Sequence, residues 1–208
     1  MDNVIINGDG DVTFLFAHGA GAGIDHAFMQ TLAEGIASHG IKVVRFNFPY
    51  MIKRGEDGKK RPPDRAPKLI EAFEQKIAEY SKQGKVFIGG KSMGGRMASL
   101  CSDNENVAAV VCMGFPFHPP GKPENFKGEH MASLTKPCLI AQGDRDPFGT
   151  QEDIAGYKLS DQIELCWIPD GEHSFKPRKR SGYTEEGNLQ LAIDKVAEFI
   201  LREAKRAL

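Results

Sequence analysis

The chain has 208 residues, 40% of them hydrophobic and 26% charged, with a formal net charge of −1. That length supports one well-filled core, so residues 1–208 are expected to form a single domain. The balanced charge gives no global electrostatic reason to expect nucleic acid or a membrane surface as a partner.

The opening segment MDNVIINGDGDV lacks the basic stretch and apolar run of a secretory leader. No apolar run approaches the roughly 18 residues that a membrane span needs. Cys101, Cys112, Cys138 and Cys166 fall in apolar runs without close pairing or a neighbouring histidine. They are expected to be reduced core thiols in a cytoplasmic protein, with no metal site.

In chain order, residues 2–10 are read as a short edge strand. Val12–Ala17 (VTFLFA) is a compact apolar run that ends in HGAGAG. Phe28, Leu32 and Ile36 then recur at helical spacing up to Gly40. Lys42–Phe48 alternates as a strand and stops at Pro49. Tyr50–Pro67 is rich in charge, glycine and proline and is expected to be neither strand nor helix.

A second helix carries Leu69, Phe73 and Ile77. Lys85–Gly90 (KVFIGG) reads as a buried strand, Met93–Ser102 as a helix, and Val107–Met113 as another strand. Phe115–His130 holds four prolines and is expected to be irregular. Pro137–Gln142 and Gln162–Ile168 complete the strands, and Leu189, Ile193, Val196 and Ile200 mark a final helix. Strands alternating with helices imply a mostly parallel sheet covered on both faces.

The chemistry concentrates at three strand ends. Gly90-Lys91-Ser92-Met93-Gly94 is a G-x-S-x-G pattern between a strand and a helix, the context that a nucleophile elbow requires. A glycine-rich turn with an incidental serine is the competing reading. His173 follows the last strand, so a parallel sheet delivers it to the edge where Ser92 lies. The acid is sought after Pro137–Gln142, where Asp144 and Asp146 both stand. Asp146 is favoured because it lies further into the loop with Pro147 stiffening the backbone behind it, while Asp144 suits a turn cap. The amides of Met93 and Ala20 are the candidate oxyanion donors.

The segments HGAGAG, GKSMGGRMAS, QGDRDPFG and GEHSFKPRK, in this order, resemble the α/β-hydrolase superfamily. More closely they resemble a dienelactone-hydrolase-like branch without a large cap. The resemblance spans nearly the whole chain. It implies an α/β-hydrolase fold with a mostly parallel central sheet of about six to seven strands, flanked by helices on both faces. It also implies Ser92 as nucleophile, Asp146 as acid and His173 as base. Dienelactone hydrolases proper carry cysteine where this chain has Ser92, so their reaction is not implied.

The expected activity is hydrolysis of a small-molecule carboxylic ester or thioester through an acyl-enzyme, with no metal or organic cofactor. A non-catalytic binding or scaffolding module on the same fold is the alternative. Two basic segments add a further expectation. One carries Lys53, Arg54 and Arg61 before the second helix, and the other carries Arg178 and Lys179 after His173. Both start at the carboxyl edge of the sheet, where a basic collar would favour anionic substrates.

Overall fold

The structure, a computed structural model, describes residues 3–207. A seven-stranded sheet with strand order β1-β3-β2-β4-β5-β6-β7 forms its centre. The strands are β1 (Val4–Asn7), β2 (Val12–Ala17), β3 (Ile41–Phe46), β4 (Val86–Lys91), β5 (Val107–Met113), β6 (Cys138–Gly143) and β7 (Ile163–Ile168). All neighbouring pairs are parallel except β1 with β3. The expected edge strand is therefore present at Val4–Asn7, and residue 2 of the expected range lies outside the described residues.

Among the described residues six helices accompany the sheet: α1 (Ala27–Ala37), α2 (Pro49–Asp57), α3 (Ala66–Tyr80), α4 (Met93–Leu100), α5 (Gln151–Ala155) and α6 (Glu185–Arg206). Strand side chains alternate between two cores, as the period of two requires. In β2, Phe14 and Phe16 join Leu32, Ile36, Ile193 and Val196 of α1 and α6. Leu15 and Ala17 join Phe73 of α3, Met97 of α4 and Tyr50 of α2 on the other face.

The segment Tyr50–Pro67 corrects the sequence reading, because it opens inside helix α2 and ends inside α3. Proline in the first turn suits α2, and Gly58 closes it in the left-handed conformation at φ 68°. Only Tyr50 and Met51 of α2 are buried, so its apolar stripe is too thin to stand out among its charges. Strand β3 is correspondingly shorter than expected, since Phe48 is already the cap residue of α2. The five-residue α5 was also not expected; Thr150 and Asp153 form a capping box at its start. Phe115–His130 is irregular until its last two residues, where a 3-10 turn spans Glu129–Ser133.

Candidate active site

Ser92 stands alone between β4 and α4, with φ 50° and ψ −116°. Such a conformation costs a non-glycine residue roughly 1–3 kcal/mol and persists only where its surroundings enforce it. The enforcement is visible. A Cβ on Gly90 would meet the Gly94 carbonyl carbon at 2.4 Å, and one on Gly94 would meet the His18 carbonyl oxygen at 2.5 Å. Glycine at both positions lets β4 turn straight into α4 against the end of β2. The Ser92 amide donates to the Met113 carbonyl at 2.9 Å, and its own carbonyl accepts from Arg96 at 3.0 Å.

His173 approaches from the loop after β7. Its Nε2 lies 2.8 Å from Ser92 Oγ and its Nδ1 lies 2.8 Å from Asp146 Oδ2. Because a carboxylate only accepts, the network assigns the imidazole proton to Nδ1 and leaves Nε2 to accept from the serine hydroxyl. Asp146 is fully buried; it also accepts the Phe148 amide at 2.8 Å and the Gln142 side-chain amide at 3.2 Å. The Phe148 ring covers the imidazole with centroids 4.3 Å apart. Asp144 faces elsewhere, with Oδ2 accepting the Asp170 amide at 3.1 Å.

The histidine loop is held at both ends. Asp170 and Phe175, on either side of His173, have positive φ (53° and 70°), and apart from Ser92 no other non-glycine described residue does. The Asp170 carboxylate accepts from Arg178 Nη2 at 2.5 Å and pairs with Arg145 Nε at 3.1 Å. Hydrogen bonds from Arg178 pull the Asp170 carboxyl down to about 2. Buried Asn188, from α6, donates to the carbonyls of Pro169 at 2.9 Å and Phe175 at 2.8 Å.

The loop after β2 is fixed by its carbonyls. His18 lies within hydrogen-bond distance of the Gly19 carbonyl through Nδ1, at 2.6 Å, and accepts the Phe48 amide at Nε2, at 3.0 Å. Burial drives its titration down to about 4, so the ring is neutral with its proton on Nδ1. The Tyr50 hydroxyl donates to the Ala20 carbonyl at 2.8 Å, and Arg54 donates to that of Gly21 at 3.2 Å. A trans peptide sets N–H opposite C=O, so the Ala20 amide points away from His18. The Met93 amide opens α4, where no intrahelical acceptor exists.

A cleft of about 330 Å³ opens on Ser92 and His173, between Gly19–Ala22, Phe28, Met29 and Lys91. A second, of about 450 Å³, lies past Met93 and Phe148 and carries Arg96, His118 and Lys127. A third, of about 440 Å³, adjoins Ala20 and Gly21 and carries Arg54, Lys60 and Arg61. A fourth, of about 710 Å³, lies at the amino edge of the sheet among Asp9, Asp11, Lys42 and Glu79, with no serine or histidine in its walls.

The basic residues singled out in the sequence thus separate. Arg54 and Arg61 border the site, although Arg61 is paired with Asp57 at 2.5 Å. Lys53 is exposed on α2, and neither it nor Lys179 lines these clefts. Arg178 is committed to Asp170. Sequence reasoning passed over Tyr50, Lys91, Arg96, Gln142 and Asn188. Lys91 and Arg96 could have been found from their spacing, one residue before Ser92 and one helical turn after it. Tyr50, Gln142 and Asn188 carry no local signal.

The chain matches the family described as alpha/beta hydrolase domain over residues 10–201. It belongs to that family. Among solved structures, it is similar to Est1E from Butyrivibrio proteoclasticus with ferulic acid bound, at 17% identity and TM-score 0.74, covering 98% of this chain and 95% of that one. It is similar to a dienelactone hydrolase from Anabaena variabilis, at 21% identity and TM-score 0.73, covering 96% and 89%. A serine hydrolase without a lid from Xanthomonas campestris matches at 17% identity and TM-score 0.64, covering 99% and 88%. At these identities the likeness establishes the fold. No helix among the described residues is long and apolar enough to cross a membrane.

Proposed function

We propose that the protein is a serine hydrolase of small carboxylic esters or thioesters, with Ser92 as nucleophile, His173 as base and Asp146 as its orienting acid. The observation that carries this reading is the unbroken chain Ser92–His173–Asp146, with two contacts of 2.8 Å opening on one cleft. A serine hydroxyl is a weak nucleophile until an adjacent base takes its proton. Nε2, 2.8 Å away, takes it as Oγ attacks the substrate carbonyl. The buried Asp146 carboxylate stabilises the imidazolium that forms. The Ala20 and Met93 amides receive the developing oxyanion, and water then releases the acyl group by the reverse proton path. Each step uses groups of this single-domain chain, and its four unpaired cysteines suit the reducing cytoplasm.

A preference for anionic substrates is part of the proposal. Arg54 and Arg61 border one side of the site, and Arg96 with Lys127 the other. Treatment of the folded protein with a fluorophosphonate is expected to modify Ser92 alone, and Ser92→Ala is expected to abolish turnover of small p-nitrophenyl esters. Absence of any adduct would leave a binding module instead. For matched neutral and carboxylate-bearing esters, the ratio of kcat/KM is expected to favour the anion at low salt and to fall as salt rises. A ratio independent of salt would remove the anionic preference alone.

A further inference from the structure

The residue before the nucleophile has a side chain that the hydrolytic mechanism does not use. Lys91 is the last residue of β4, and only 9% of its surface is exposed. Its ammonium donates to the backbone carbonyl of His173 and lies over the rings of Phe28 and Phe175, 5.1 and 5.8 Å from their centroids. A carbonyl and two aromatic faces replace the carboxylate that a buried ammonium normally finds. Burial accordingly pushes its titration down to about 8, which still leaves it charged at neutral pH.

Gly114, just past β5 with φ 65°, lies against both the ammonium and the imidazole. A Cβ placed there would stand 2.8 Å from Lys91 Nζ, 2.8 Å from the His173 carbonyl oxygen and 3.3 Å from His173 Nδ1. Asp146 after β6 and Glu172 after β7 attract the ammonium. From the α1 side, His26 lines the same cleft, and from the end of β2 comes the neutral His18.

We propose that Lys91 is a positioning residue for His173, acting through two effects of one side chain. Its hydrogen bond ties the main chain of the base to the strand that carries Ser92, so the two ends of the 2.8 Å contact are fixed to each other. Its positive charge, facing the same Gly114 backbone as Nδ1, disfavours a second positive charge on the imidazole. This inference rests on the hydrolase reading given above.

The test compares wild type with Lys91→Met, which removes charge and donor, and Lys91→Gln, which keeps a donor without charge. Imidazole NMR titration, with His173 assigned by His173→Gln, reads the base without any turnover. In both variants the His173 titration midpoint is expected to lie above that of wild type. The acid limb of kcat/KM for a neutral ester is expected to move with it. kcat is expected to fall more in Lys91→Met than in Lys91→Gln, with KM within about two-fold. Fluorophosphonate labelling of wild type is the control for the hydrolase reading, so failure there is distinct from failure here. Unchanged titration midpoints in folded variants would overturn the proposal. So would a rise in KM confined to carboxylate-bearing esters with no change in titration, which would make Lys91 a substrate contact instead. If Lys91→Met does not fold, Lys91→Gln alone decides.

Discussion

The Tyr50 hydroxyl donates to the Ala20 carbonyl at 2.8 Å, joining the helix after β3 to the loop beside Ser92. Burial pushes the phenol well above its usual range, so the group remains a neutral donor at any working pH. Tyr50→Phe keeps the ring in its core and leaves the carbonyl without its donor. Losing an oxyanion amide outright costs on the order of 10²–10³ in kcat, and a loosened one costs less. We therefore expect kcat to fall about ten-fold with KM little changed, together with a stability loss of about 1 kcal/mol. Steady-state kinetics and a denaturant melt read both; an unaltered kcat would mean that the loop is held without Tyr50.

The two acids after β6 have separate partners, and their variants should separate too. Asp146→Asn presents an amide to Nδ1 and favours the wrong imidazole tautomer, so kcat is expected to drop by on the order of 10⁴ with the fold retained. Asp144→Asn disturbs only the contact with the Asp170 amide and is expected to cost less than ten-fold. Equal losses in the two variants would show that the loop, and not the imidazole, is what Asp146 supports.

His18 couples acidity to the integrity of the site. Its folded value of about 4 lies below that of an exposed imidazole, because burial disfavours the charged ring. A group depressed in this way takes up its proton more readily in the unfolded chain. Stability is therefore lost as pH falls from about 6.5 to about 4, by up to roughly 3 kcal/mol. The melting temperature of wild type is expected to decline across that window. His18→Asn, which melts lower at pH 7 but cannot titrate there, is expected to show a flatter decline. Parallel slopes for the two proteins would contradict the assignment.

The legible parts of this protein were those written locally. A strand, a serine and a helix follow one another within Val86–Leu100 with Gly90 and Gly94 flanking the serine, and the clash that bars a side chain at Gly90 is with Gly94 in that same segment, although the clash at Gly94 is with the end of β2. The parallel sheet followed from the alternation of short apolar runs with helical spacing. Helix α2 was hidden because its support comes from elsewhere: Tyr50 and Met51 dock into a core built by α3 and α4, and Arg54 reaches the loop after β2. Arg178 shows the same limit for charge. The sequence displays its sign, but only the fold brings Asp170 to 2.5 Å and occupies it. Lys91 was in plain view beside Ser92, yet nothing in the sequence says that its tip meets a carbonyl 82 positions later.

The fastening of the histidine loop by Asn188 of α6 has a consequence for synthesis. Ser92 and His173 are 81 positions apart, and the residue that clamps the loop comes later still. A growing chain can make its elbow once β2, β4 and α4 have emerged from the ribosome, but at that stage the serine has no base. A hydroxyl without a base is a poor nucleophile. On the proposed reading, the elbow serine therefore gains its base only after β7, the histidine loop and the helix that fastens it have all been made.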